Sequence, residues 1–124
     1  MNIVLWVIAG LLAAAFLGAG VMKLSQSKEK LAASGMAWTE DFSAGAVKAI
    51  GAAELLGAIG LILPALLDIA PVLVPLAATG LALTMLGAVV VHVRRGETQA
   101  VAPSAVLFVL SVIVAWGRFG PYAF

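Results

Sequence analysis

The stretch 45–64, GAVKAIGAAELLGAIGLILP, decides how this chain folds. It is apolar almost throughout, and roughly 20 apolar residues are what an α-helix needs to cross a hydrocarbon layer of about 30 Å. It nevertheless carries Lys48 near its start and Glu54 near its middle. A charged group at the centre of a span costs several kcal/mol, so the surroundings of Glu54 have to account for its presence.

The composition of the whole chain also indicates a membrane protein. Hydrophobic residues make up 64% of the 124 residues and charged residues 10%. In a soluble domain, roughly half of the residues are hydrophobic and about a quarter are charged. A fold of this small size could not bury so much apolar surface. The net charge of +1 leaves no basic face for nucleic acid. The absence of cysteine excludes disulfides and thiolate metal sites.

Four apolar segments are long enough to span a bilayer. They cover about residues 3–22, 45–67, 71–93 and 101–117, and the last is the shortest. No basic region precedes the first segment, as it would in a signal peptide, so we expect it to be a membrane helix. The second and third connections are short, which predicts antiparallel neighbours. The predicted fold is therefore all-α: one integral membrane domain over 1–124, a four-helix bundle of antiparallel up-down topology with a polar loop at 23–44.

The distribution of lysine and arginine predicts the orientation. The loops 23–44 and 94–100 hold five of these residues, the second loop holds none, and the C-terminal tail holds only Arg118. Cytoplasmic loops carry the excess of positive charge. We therefore expect both basic loops to be cytoplasmic and both termini to lie outside, in the plasma membrane (the inner membrane of a bacterium).

The neighbours of Glu54 predict which way its side chain faces. Gly51 and Gly57 lie three residues before and after it, on the same helical face, and Gly60 follows. Small residues let another membrane helix approach closely. Glu54 is therefore expected to point into a helix contact. We favour packing within the chain, although the same face also allows a homodimer.

The expected partner of Glu54 is Lys23 rather than Lys48. Lys48 is six residues away, about 9 Å along the helix axis, and is expected to extend to the interface instead. Side chains lean toward the N-terminus of their own helix, so Lys23 and Glu54 on antiparallel helices would reach toward each other. Thr84 and Ser111 lie at a similar depth. Each is expected either to donate to the carboxylate in a shared polar layer or to bond its own backbone carbonyl.

Two segments resemble a known family. FLGAGVMKL (16–24) carries Gly20 and Lys23, and VKAIGAAELLGAIGLILP (47–64) carries Lys48, Glu54 and the glycines already described. Both look like segments of the DoxX-like family of small bacterial four-helix membrane proteins. The resemblance implies a four-span bundle in which Gly20 is a further packing position. It also implies an association with quinone-linked sulfur oxidation, as in the relatives that gave the family its name.

The residues present limit the chemistry that this chain can perform. It has no cysteine and only one histidine, so no thiolate or paired-histidine haem centre can form. Electron transfer would require a bound quinone or an oxidoreductase partner. No nucleophile–base pair, metal-ligand spacing or phosphate loop is present, so we predict neither a metal site nor a catalytic activity of the chain's own. The single histidine, His92, is expected to be solvated at the membrane edge.

Three functions remain open at this point. The first is binding of a quinone or lipid-like ligand, or scaffolding of a membrane or cytoplasmic oxidoreductase. The second is proton-coupled transport of a small molecule, and the third is a non-catalytic assembly role. The candidate ligand or proton site comprises Glu54, Lys23, Lys48, Thr84 and Ser111. The alternative interpretation is that Glu54 belongs to a structural ion pair.

Overall fold

The computed structural model describes residues 2–33 and 36–123, and the secondary structure within them is helical. Four helices are long and apolar enough to cross a membrane, which confirms the predicted all-α class. They are α1 (Asn2–Ser25), α3 (Ala44–Leu66), α4 (Leu73–Arg94) and α5 (Thr98–Phe119). The segment between α1 and α3 forms a short helix, α2 (Lys28–Ala33), and a 3₁₀ helix (Ala37–Asp41).

The helix boundaries follow local chemistry. α3 begins after Ser43, whose hydroxyl accepts a hydrogen bond of 3.1 Å from the backbone N–H of Ala46, an N-cap. The fourth span was expected to be the shortest, but α5 has 22 residues, the same length as α4. The segment was expected to cover about 101–117, whereas α5 begins at Thr98 and ends at Phe119. The structure buries Arg118 within the last turn of α5.

The four long helices form a closed ring of neighbours. α1 packs on α3, α3 on α4, α4 on α5, and α5 returns to α1. The most extensive contacts lie within two pairs, α1 with α3 and α4 with α5. The bundle is therefore two helix pairs laid against each other, and its interior lies between them.

The two pairs meet closely toward the end of the bundle that holds the turn 67–72. A Cβ added at Gly57 would lie 2.7 Å from the side chain of Leu81, and one at Gly60 would lie 2.9 Å from the Cβ of Ala77. The residue numbers in contact rise on α3 as they fall on α4, so these two helices run in opposite directions. Small residues thus bring α3 and α4 together. The apolar core around this contact includes Leu12, Phe16, Ala58, Leu61, Val74, Ala78, Leu81, Met85 and Val114.

Within the first pair, the backbones of α1 and α3 almost touch. A Cβ added at Gly20 would lie 2.7 Å from the carbonyl oxygen of Gly51, and one at Gly51 would lie 2.6 Å from the Cβ of Lys23. Lys48 also joins the two helices, because its Nζ donates a hydrogen bond of 3.0 Å to the carbonyl oxygen of Leu24. That carbonyl is one of the last four of α1, which have no partner within their own helix.

The segment formed by α2 and the 3₁₀ helix is attached to the bundle and held together by side chains. Leu31 of α2 is fully buried. Thr39 is also fully buried, and its hydroxyl donates to the carbonyl oxygen of Met36 at 2.8 Å, with a longer contact of 3.4 Å to that of Lys28. These contacts join the 3₁₀ helix to α2. The segment lies at the end of the bundle where α1 ends and α3 begins.

The close approach of α1 to α3 predicts a selective sensitivity to a single added methyl group. Gly20→Ala should lower the free energy of unfolding by about 1–3 kcal/mol, because the new Cβ would press on the backbone of α3. The measurement is an unfolding titration with sodium dodecyl sulfate, followed by circular dichroism. Gly18→Ala is the matched control, since a Cβ there meets nothing within 4 Å. Equal stability of the two variants would contradict the close contact.

The charge distribution predicts the orientation in the membrane, which labelling can test because the chain has no cysteine of its own. Glu29→Cys and Gln99→Cys should be reached only by a reagent supplied on the cytoplasmic side. Ile69→Cys and Ala123→Cys should be labelled in intact cells by a membrane-impermeant maleimide. All four side chains are exposed in the wild type. Labelling with the two sides exchanged would refute the predicted orientation.

Candidate functional site

A buried ion pair lies inside the bundle. The ammonium of Lys23, in the last turn of α1, donates to the Oε1 of Glu54, near the middle of α3. Lys23 is 6% exposed and Glu54 1% exposed, so both charges are withdrawn from solvent and from lipid. The pair is the one that the opposed lean of the two side chains predicts. The contact between Gly20 and Gly51 brings the two helices close enough to form it.

Lys23 has a second partner in the 3₁₀ helix. Its Nζ lies 5.4 Å from the centroid of the Trp38 ring, within the range of a cation–π interaction. Trp38 in turn contacts Phe42 edge to face, with ring centroids 5.6 Å apart. The ion pair is therefore connected to the segment that follows α1, and two aromatic rings lie beside it.

The ion pair lines a cavity of about 460 Å³ between the two helix pairs. Its wall is largely apolar. The polar or charged side chains in it are few relative to the aliphatic and aromatic ones. The lining residues are Ala15, Phe16, Ala19, Lys23, Trp38, Phe42, Ile50, Glu54, Leu83, Thr84, Met85, Gly87, Ala88, Val91, His92, Ser104 and Leu107.

The shared polar layer expected around Glu54 does not form. Thr84 lines the cavity, but its hydroxyl donates to the carbonyl oxygen of Gly80 at 2.9 Å. Ser111 is fully buried outside the cavity wall and donates to the carbonyl oxygen of Leu107 at 2.7 Å. Both follow the alternative of bonding the carbonyl one turn earlier, which is within reach of any helical hydroxyl. Lys48, near the start of α3, stays exposed and lies outside the cavity, with its ammonium bonded to the carbonyl oxygen of Leu24 at the end of α1.

His92 differs from its predicted position. It was expected to be solvated, yet its side chain is only 12% exposed and lines the cavity. Its Nδ1 lies 2.9 Å from the Oε1 of Glu97, in the turn before α5, and the Nε of Arg95 lies 3.3 Å from the Oε2 of the same carboxylate. The hydrogen bond from His92, aided by Arg95, holds the pKa of Glu97 below its ordinary value. The turn folds back on the ring, which a count of residues to the membrane edge could not show.

The family of the chain follows from a comparison with known families. The model of the DoxX-like family matches residues 7–114, nearly the whole chain. The chain belongs to the DoxX-like family. No curated protein and no solved structure matches it. The family match covers α1 and α3, which supply the ion pair, and α4, which supplies much of the cavity wall.

Besides Thr39, two further polar residues of this DoxX-like protein, Ser104 and Arg118, are buried although their burial was not predicted from the sequence. Ser104 is 9% exposed and lines the cavity from α5. Arg118 is 5% exposed near the end of α5, where it donates to Asn2 at 2.6 Å and to the carbonyl oxygen of Tyr122 at 2.9 Å. Its guanidinium also lies 5.7 Å from the ring of Trp6. The one available signal for Arg118 was the polar Asn2 at the start of an otherwise apolar helix.

Metal binding has no support in the described part of the chain. Across residues 2–33 and 36–123, no group of three histidine or acidic side chains is placed to hold a metal ion. The polar side chains in the cavity wall are those of Lys23, Glu54, His92, Thr84 and Ser104, together with the indole N–H of Trp38.

The buried pair predicts a strongly coupled double-mutant cycle. Lys23→Met or Glu54→Gln alone should each destabilise this DoxX-like protein by about 3–5 kcal/mol, because the remaining charge would be buried without its partner. The double variant should be markedly more stable than the sum of the two losses implies. Unfolding in sodium dodecyl sulfate measures all four proteins. Lys48→Met is the control, and it should cost about 1 kcal/mol for one exposed hydrogen bond. Additive losses at Lys23 and Glu54 would argue against the pair.

Proposed function

We propose that this DoxX-like protein binds an apolar small molecule with an oxygen-bearing polar end, of the quinone or lipid type, inside its helix bundle. The observation that carries the proposal is a buried ion pair that forms part of the wall of an otherwise largely apolar cavity. A pair that served packing alone could be enclosed by side chains on every side. Here Lys23 and Glu54 are both part of the cavity wall.

The chemistry of the ion pair suits an oxygen acceptor. A lysine ammonium has three N–H donors. Glu54 takes one of these donors and the Trp38 ring contacts the cation, which leaves donor capacity toward the cavity. A carbonyl or phosphate oxygen is the matching acceptor. Phe42 and Trp38 supply aromatic faces beside it, which favours a flat or ring-shaped polar end.

The size and lining of the cavity agree with such a ligand. Small-molecule sites in proteins have volumes of about 300–1,000 Å³, mostly apolar walls and a few polar groups that orient the ligand. The cavity of about 460 Å³ lies within this range. Three of its lining residues, Ala15, Leu83 and Gly87, are exposed in the middle of membrane spans. This supports entry from the bilayer, where apolar molecules are dissolved.

Protein purified in its native lipid provides the test, with mass spectrometry of what it retains. We expect a quinone, or one lipid species enriched over the bulk lipid of the same preparation, on the wild type. The mass of the retained molecule distinguishes a quinone from a lipid. Ala88→Leu should abolish retention, because the larger side chain would occupy the cavity while leaving the ion pair intact. Glu54→Gln should weaken retention by removing the charge that positions Lys23.

A matched control separates loss of the cavity from general disturbance of the bundle. Ala65 is half-buried against the same core but is not part of the cavity wall. Ala65→Leu should therefore retain the ligand as the wild type does. If the wild type retains nothing, or if Ala88→Leu retains as much as the wild type, the proposed function is wrong. Attention would then turn to the alternatives of transport and assembly.

A further inference from the structure

The cavity has a second polar end that the proposed function does not use. The contacts of Gly57 with Leu81 and of Gly60 with Ala77 align α3 and α4 so that Glu54 is level with Thr84. His92 lies eight residues further along α4, which is about 12 Å of helix. The cavity wall contains both Glu54 and His92. Its two polar ends are therefore separated along the axis, with apolar wall between them.

The contact with Glu97 determines which nitrogen of His92 is available. An ionised carboxylate can only accept hydrogen bonds. The pKa of Glu97 is lowered by the hydrogen bond from His92 and the nearby Arg95, so the carboxylate is ionised at neutral pH. Nδ1 of His92, 2.9 Å from Oε1, must then be the donor. In the neutral ring this leaves Nε2 without a proton, and Nε2 is a hydrogen-bond acceptor.

We propose that His92, oriented by Glu97, accepts a hydrogen bond through Nε2 from a hydroxyl group on the ligand in the cavity. The inference rests on the proposed function, because it requires a ligand in that cavity. It adds a specificity: the ligand carries an acceptor oxygen for Lys23 at one end and a hydroxyl donor for His92 at the other. A hydroquinone, which carries an oxygen on each side of its ring, has this chemistry. Glu97 acts through His92 and is a positioning residue.

Two naphthalene probes that differ in this proton test the proposal. 1-Naphthol has a hydroxyl donor, and 1-methoxynaphthalene has an acceptor oxygen only. Dissociation constants are measured by equilibrium dialysis against the whole protein in lipid nanodiscs, with empty nanodiscs subtracted. The wild type should bind 1-naphthol about fivefold more tightly, the value of one ordinary hydrogen bond. His92→Phe should reduce this ratio to about one, and Glu97→Ala should reduce it partly by releasing the orientation of the ring.

Ala65→Leu is the matched control, because Ala65 packs against the same core but is not part of the cavity wall. It should leave the probe ratio unchanged. A ratio that His92→Phe does not alter, while Ala88→Leu still blocks both probes, would overturn the role of His92 and leave the proposed function standing. Failure of both probes to bind the wild type above empty nanodiscs would instead contradict the cavity as a ligand site, and the role of His92 with it.

Discussion

The withdrawal of one carboxylate from water is the constraint on which the rest of the bundle depends. Glu54 cannot face lipid as a charge without a cost of several kcal/mol. Its partner Lys23 is one helix away, and that helix must come close for the two to meet. Gly20 and Gly51 permit this approach by leaving no side chain between the backbones. The ion pair therefore depends on the glycine contact, because a side chain at Gly20 or Gly51 would push the two helices apart.

The same arrangement determines where the interior is open. Near the turn 67–72, small residues and aliphatic side chains fill the space between the helix pairs. At the level of Glu54 and beyond, the interior contains the cavity instead. The 3₁₀ helix brings Trp38 over Lys23, so that the polar loop of the sequence contributes to the wall of the membrane domain. The ion pair of Lys23 and Glu54 thereby also places polar groups in the wall of a largely apolar cavity.

Much of this could be predicted from the sequence. Long apolar segments identify spans because a bilayer leaves the backbone few other conformations. The pairing of Lys23 with Glu54 was predictable as well, because helix direction and side-chain lean are local properties. What could not be predicted depends on how the turns fold back. The position of His92 in the cavity wall follows from Glu97 in the next turn, and the burial of Arg118 follows from Asn2 at the far end of the chain. Neither contact can be predicted from the hydrophobic periodicity or from the spacing of residues in the sequence.

The unequal packing of the two ends has a mechanical consequence. Close contacts of Gly57 with Leu81 and of Gly117 with Leu5 fasten the helix pairs at one end of the ring. A small rotation of one helix pair about that closely packed end would displace its residues least near the contact and most at the opposite end of the bundle. The largest displacement would therefore fall on the cavity between the two pairs. A change in the bundle too small to disturb its core would alter the distance from the ion pair, held within α1 and α3, to His92 on α4.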